Sequence, residues 1–168
     1  MTLDNLNTLN SIQRAEALAK CCGATHWVNK MNEIFPVADE KILLHEAEKL
    51  WRQCSESDWL EAFTHHPKIG DVNSLKEKYA ATAAWAEGEQ SSVKESSLAV
   101  LQALSAGNAE YENKFGYIFI VCATGKTASE MLAMLQDRIK NKAADEIQIA
   151  AQEQNKITAI RLKKLIAP

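Results

Sequence analysis

The segment Y-I-F-I-V-C-A, from Tyr117 to Ala123, decides the fold of this chain. It is the one stretch whose aromatic and β-branched content favours a β-strand. A lone strand has no neighbour to pair with its backbone N–H and C=O groups, and buried groups of this kind must be paired. We therefore interpret residues 117–123 as a buried extended segment between helices, and we predict an all-α fold.

The residues after this segment imitate a phosphate-binding loop. Gly125-Lys126-Thr127 follows the apolar run and precedes a helical pattern, as in a nucleotide-binding site. The Walker pattern needs another glycine five positions before Gly125, and Ile120 stands there. Thr127 and Glu130 instead form a capping box that begins a helix. A nucleotide-binding protein built on this loop is the alternative, and it predicts tight binding of ATP or GTP.

Helical patterns lie on both sides of the segment. An apolar stripe of Leu43, Ala47 and Trp51 behind a cap at Asp39 is the strongest of them. The predicted helices cover approximately residues 11–21, 39–51, 55–66, 74–85, 89–104, 109–115, 127–139 and 145–166, with a turn at Gly107-Asn108 and a C-terminal stop at Gly116. We predict one domain, residues 1–168, that forms a single compact bundle of roughly eight helices.

The composition excludes several classes of function. A net charge of −3, without a run of five or more Lys and Arg, argues against a nucleic-acid-binding protein. No stretch approaches the roughly 20 apolar residues of a membrane span. The polar residues 1–10 do not resemble a signal peptide. We expect a cytoplasmic protein with no nucleic-acid or membrane partner.

The cysteines give no sign of a metal site or of disulfides. Cys21, Cys22, Cys54 and Cys122 form no C-x-x-C pair, and an intracellular chain of this size does not require disulfides. Cys122 lies inside the apolar run and is expected in the core. His26 follows Cys22 by four residues, but no second pair completes a zinc site. We expect no bound metal.

The segment T-H-H-P-K-I-G, from Thr64 to Gly70, is a candidate for proton transfer. Pro67 cannot continue a helix, so His66 is held in a rigid turn at a helix C-terminus. Histidine has the side-chain pKa nearest neutrality, which suits acid–base chemistry. The alternative is a surface pair of histidines beside a turn. Either His65 or His66 could face inward, and Pro67 directly after His66 favours His66.

Two other features are ambiguous by themselves. The sequence W-A-E-G-E-Q, residues 85–90, places Glu89 and Gln90 in the first turn of a helix, where they either enter a pocket or lie in solvent. Arg161 falls on a predicted inward face of the last helix, which also carries Ile147, Ala150, Gln154, Ile157 and Leu165. An inward arginine pairs with a protein carboxylate, binds an anionic substrate or extends to the surface.

Taken together, these fragments resemble the 2-oxo-4-hydroxy-4-carboxy-5-ureidoimidazoline (OHCU) decarboxylases over nearly the whole chain. Residues 63–70 are similar to that family's histidine-proline turn, residues 85–90 to its S-x-x-E-Q segment, and residues 111–123 to its F-G-F-P-F-I segment. Gly125-Lys126-Thr127 and Ile160-Arg161-Leu162 complete the order. This chain departs from the pattern at Ala86, where the family has serine, and at Ile118, where it has proline.

The resemblance implies an all-helical homodimer, without metal or organic cofactor, that converts OHCU to (S)-allantoin and carbon dioxide in purine catabolism. It implies that His66 and Glu89 are catalytic. It further implies substrate contacts from Pro67, Ala86, Glu89, Gln90, Ile120, Val121, Cys122, Ala123 and Arg161. The rival from another class is a non-catalytic helical interaction module, which predicts that His66, Glu89 and Arg161 lie far apart on the surface.

Overall fold

The protein is all-α, as predicted. A computed structural model describes residues 1–66, 72–79 and 91–167. These residues contain nine helices and no strand: α1 (Leu3–Thr8), α2 (Ser11–Ala19), α3 (Thr25–Glu33), α4 (Glu40–Gln53), α5 (Glu56–Thr64), α6 (Val72–Tyr79), α7 (Ser91–Phe115), α8 (Ala128–Arg138) and α9 (Ala143–Ile166). Helices α1 and α3 were not predicted from the sequence. No helix in the described ranges is long and apolar enough to cross a membrane.

The chain divides into two compact units. The first comprises residues 1–66, 120–122 and the part of α9 from residue 147 onward. The second comprises the described residues between 72 and 119, together with residues 123–146. A single domain over residues 1–168 therefore remains a prediction.

Two buried tryptophans organise the core of the first unit. Trp27 on α3 donates its indole N–H to the carbonyl oxygen of Ala47 on α4, at 3.0 Å. Trp51 on α4 donates to the carbonyl oxygen of Ala151 on α9, at 2.8 Å. Both rings are buried, and their only polar atom is paired. Helix α4 is thus fixed to α3 on one side and to α9 on the other.

The predicted helix starts follow local capping chemistry. The Asp39 carboxylate accepts the backbone N–H of Ile42 at 2.8 Å and begins α4. Ser55 and Asp58 form a capping box at the start of α5, and Thr127 and Glu130 form one at the start of α8. Each of these caps satisfies backbone N–H groups that have no partner within the helix. Gly125-Lys126-Thr127 therefore leads into a capped helix.

Two predicted boundaries in the second unit are wrong. Helix α7 runs without a break through Gly107-Asn108, where a turn was expected. A Cβ atom on Gly107 would lie 2.7 Å from Leu135 of α8, so this glycine allows two helices to approach closely. Helix α6 begins at Val72, before the predicted start at about residue 74. The stop at Gly116 is confirmed, with a φ of +81° and its N–H donated to the Glu112 carbonyl at 2.8 Å.

A buried ion pair lies in the second unit. Arg138 of α8 donates its Nε–H to the carboxylate of Glu146 at 2.7 Å, and Asn141 donates to the other carboxylate oxygen at 2.8 Å. The Tyr111 hydroxyl of α7 also donates to Glu146. The Arg138 guanidinium stacks over the ring of Phe119, 4.6 Å from its centroid. Because Glu146 is fully buried, these donors compensate the cost of removing its side chain from water.

The segment at residues 117–123 has neither helix nor strand, as expected. It is less buried than expected, because only Ile120 and Cys122 are in the core and their neighbours are half-buried. Ile120 and Cys122 are two positions apart, so they lie on the same side of the extended chain.

Candidate active site

His66 lies where α5 ends, in the first unit. The backbone N–H of His65 donates to the carbonyl of Ala62, and that of His66 donates to the carbonyl of Phe63, both at 3.2 Å. These bonds close the last turn of α5. The half-buried His66 side chain is hydrogen-bonded through Nε2 to the side-chain oxygen of Gln154 on α9. The imidazole is thus held between the end of one helix and the face of another.

The two adjacent histidines have different surroundings. The His65 ring packs directly on Gly23, since a Cβ atom at that glycine would lie 2.3 Å from the His65 Cγ atom. His65 is otherwise exposed, whereas the His66 ring contacts the buried Gln154. This difference agrees with the sequence-based choice of His66 as the inward residue.

Polar contacts continue from Gln154 along α9. The side-chain nitrogen of Gln154 donates to the hydroxyl of Thr158, one turn further on, at 3.2 Å. Burial raises the pKa of the Cys22 thiol to about 11, and interactions with Ala24 and Thr158 oppose this rise. Buried polar groups therefore continue from His66 along α9 as far as Thr158.

Arg161 lies on α9 two turns after Gln154, a separation of roughly 10 Å along the helix axis. It is half-buried and donates its Nη1–H to the backbone carbonyl of Cys21, at 3.4 Å. The predicted inward face is correct for Ile147, Ala150 and Gln154, but further along it is Thr158, Leu162 and Ile166 that are buried. A strict seven-residue repeat drifts by about 20° per repeat on a straight helix. Arg161 therefore lies at the edge of the buried face.

The extended segment is also tied to α9. The backbone N–H of Cys122 donates to the carboxylate of Glu153 at 2.8 Å, in a buried hydrogen bond. Lys156, one turn further along the helix, pairs with the other oxygen of that carboxylate. Hydrogen bonds to a charged group are about twice as strong as neutral ones. The backbone at residues 120–122 is consequently fixed next to the helix that carries Gln154 and Arg161.

The structure brings together part of the predicted site. His66, Ile120, Val121, Cys122 and Arg161 all belong to the first unit. His66 and Cys122 hydrogen-bond with side chains of α9, and Arg161 lies on that helix. Ala123 belongs to the second unit. Pro67, Ala86, Glu89 and Gln90 lie outside the described residues. Whether Glu89 joins His66 and Arg161 stays a prediction.

Sequence reasoning missed two polar residues of α9 that hold parts of the site. Gln154 was assigned to the inward face but was given no role, although a glutamine within an apolar stripe signals a buried partner. Glu153 was not singled out, because nothing in the sequence around it indicates a contact with Cys122. The described residues include no group of three His, Cys, Asp or Glu side chains that could hold a metal ion.

Comparisons with known proteins give a consistent result. The sequence profile of a family described as OHCU decarboxylase matches residues 7–163. The uric acid degradation bifunctional protein TTL of Arabidopsis thaliana is 38% identical over 151 residues, which are 88% of this chain and 45% of that protein. The 2-oxo-4-hydroxy-4-carboxy-5-ureidoimidazoline decarboxylase of Amia calva is 35% identical over 106 residues, 60% of this chain and 57% of that protein. The chain thus spans about half the length of these two relatives.

A solved structure has the same fold. A crystal structure of OHCU decarboxylase in the presence of (S)-allantoin superimposes with a TM-score of 0.70 and 35% sequence identity. The match covers 89% of this chain and 96% of that one.

Proposed function

The chain belongs to the OHCU decarboxylase family, and from this premise we propose that it converts OHCU to (S)-allantoin and carbon dioxide in the breakdown of urate. The observation that carries the proposal is the arrangement around α9. The side chain of Gln154 meets His66, that of Glu153 meets the backbone of Cys122, and Arg161 follows on the same helix.

The reaction suits a site made of ordinary side chains. In OHCU the carbon that loses carbon dioxide also bears a hydroxyl group and adjoins a ring carbon–nitrogen double bond. When the carbon–carboxylate bond breaks, its electron pair forms a new carbon–carbon double bond, and the ring nitrogen takes up a proton. The resulting enol becomes a carbonyl as the neighbouring ring carbon is protonated. The site must therefore exclude water and deliver a proton to one face of the ring.

The proposal gives the candidate residues the following roles. The imidazole of His66 transfers the proton, because a positioned histidine changes charge near neutral pH. Arg161 binds an anionic or carbonyl group of the substrate through its planar fork of N–H donors. The backbone at Ile120 and Val121 contributes amide and carbonyl contacts, and that of Cys122, whose N–H is donated to Glu153, contributes a carbonyl contact. Glu89 is proposed as the second catalytic residue, and Pro67, Ala86, Gln90 and Ala123 as further contacts.

Substitution of His66 tests the proposal. OHCU is unstable, so it is generated in place from urate with urate oxidase and hydroxyisourate hydrolase. Circular dichroism then follows optically active allantoin, which spontaneous, racemic decay does not produce. His66→Asn should lower the rate by about two to four orders of magnitude, the usual contribution of a positioned acid or base.

Two other histidines provide matched controls. His65→Asn changes the ring on Gly23, and His45→Asn changes an exposed residue of α4. Both variants should keep most of the activity. Loss of activity in His65→Asn together with normal turnover in His66→Asn would show that His65, and not His66, is the catalytic histidine. Full activity in all three variants would refute the decarboxylase proposal.

We extend the proposal to the state in which the protein works. It acts without a metal or organic cofactor, as a homodimer of single-domain chains, in the cytoplasm. The resemblance of the sequence motifs to the family supports the absence of a cofactor and the homodimer. Light scattering after size-exclusion chromatography measures the mass directly, and a mass of one chain at working concentration contradicts the dimer.

A further inference from the structure

The contact between His66 and Gln154 has a consequence for the state of the imidazole. We propose that Gln154 is a positioning residue that holds His66 in one tautomer, with the proton on Nε2 and with Nδ1 as the basic nitrogen of the ring. The statement about the tautomer stands on the geometry of the first unit. Only its effect on turnover rests on the proposed function.

The chemistry of the amide group sets the direction of the hydrogen bond. The oxygen of Gln154 faces Nε2 of His66, and the nitrogen of Gln154 faces the Thr158 hydroxyl at 3.2 Å. An amide oxygen only accepts hydrogen bonds, so Nε2 must be the donor. The neutral imidazole carries one proton, and its presence on Nε2 leaves the lone pair on Nδ1.

Burial requires that both ends of the amide have partners. The Gln154 side chain is fully buried, with 0% exposure, and buried polar groups are hydrogen-bonded. Its N–H group donates to Thr158 at 3.2 Å, and its oxygen faces His66. An amide turned by 180° would instead donate to Nε2 and would place the ring proton on Nδ1, so the tautomer of His66 reports which way the amide faces.

An amide is suited to this role for a further reason. A carboxylate in the same place would favour the charged imidazolium, as an opposite charge within hydrogen-bond distance does. A glutamine selects the tautomer and orients the ring without adding charge. His66 then stays able both to accept and to release a proton, which the proposed reaction requires.

The test compares two glutamines on α9. Gln154→Met keeps the volume of the side chain but removes the acceptor, whereas Gln152→Met makes the same change at an exposed position. Nitrogen-15 NMR of the whole protein, labelled in its histidine rings, distinguishes protonated from unprotonated ring nitrogens at alkaline pH, where free imidazole is neutral. The His66 signals are assigned by their absence from the His66→Asn spectrum.

We expect His66 of the parent and of Gln152→Met to carry its proton on Nε2 alone. Gln154→Met should show a mixture of both tautomers. A parent ring protonated on Nδ1, or an unchanged Nε2–H tautomer in Gln154→Met, would overturn the proposal. If Gln154→Met does not fold, Gln154→Leu, which is smaller and also lacks an acceptor, takes its place. A mixture then supports the proposal and an unchanged ring overturns it.

The kinetic arm uses the optically active product as its readout. Gln154→Met should lower kcat by roughly 5- to 150-fold, which corresponds to the loss of one buried hydrogen bond, with KM nearly unchanged. A normal kcat in Gln154→Met, despite a mixture of tautomers, would refute the claim that the positioning of His66 matters for turnover. A parent protein that forms no optically active allantoin would refute the proposed function and would leave the NMR result as it stands.

Discussion

The hydrogen bond between Glu153 and the backbone of Cys122 allows a sharp test of how the extended segment is held. Glu153→Ala removes the acceptor and leaves a buried backbone N–H unsatisfied, which costs about 1–3 kcal/mol. It also removes the ion pair with Lys156, whose side chain is 62% exposed, and such a pair contributes less than about 1 kcal/mol. The expected loss in the free energy of unfolding is therefore about 1–4 kcal/mol.

The assay is thermal and urea unfolding followed by circular dichroism. For a chain of this size, each kcal/mol lowers Tm by about 2–4 °C, so Glu153→Ala should melt about 2–16 °C below the parent. Lys156→Ala is the matched control, because it removes the ion pair but keeps the backbone hydrogen bond. Glu153→Gln keeps an acceptor for the Cys122 N–H and should lose less than Glu153→Ala.

The same variants test the connection with function. Because residues 120–122 are proposed to contact the substrate through their backbone, Glu153→Ala should lower kcat/KM much more than Lys156→Ala does. Equal stability losses in Glu153→Ala and Lys156→Ala would mean that the ion pair, and not the backbone bond, carries the effect. An unchanged Tm in Glu153→Ala would refute the reasoning altogether.

Three other predictions concern the site, the metal and the pH dependence. Arg161→Lys keeps the charge but loses the planar fork, so turnover should fall with little change in Tm; a large drop in Tm would show a structural role. Exhaustive chelation with EDTA should leave allantoin formation intact, and loss of activity that zinc restores would contradict this. Burial and then the Glu146 hydrogen bond raise the pKa of Tyr111 above its ordinary value of about 10. The stability that this shift contributes is complete below about pH 10. It falls as the pH rises further, because the Tyr111 hydroxyl then ionises in the unfolded chain but not in the folded one. Above about pH 10, the Tm of Tyr111→Phe should therefore depend less on pH than the Tm of the parent.

The sequence by itself determined the features that depend on near neighbours. The caps at Asp39, Ser55 and Thr127 join residues three positions apart, so the residues that make each cap are visible in the sequence. The end of α5 near His66 follows from Pro67 in the same way. The extended segment at 117–123 could be identified because nothing else in the chain could pair with it. The family motif added the identity of the candidate residues.

Only the tertiary structure decided the features that depend on distant partners. Gly107 was interpreted as a turn because a glycine inside a helix is unfavourable by itself. The folded structure explains the glycine by the close approach of Leu135, which lies on another helix. The pairing of His66 with Gln154 joins residues 88 positions apart, and that of Cys122 with Glu153 joins residues 31 positions apart. The face of α9 that is buried at Thr158 and Leu162 likewise depends on what packs against it. Local patterns indicate which residues can be buried or hydrogen-bonded, and the packing of the folded chain determines their partners.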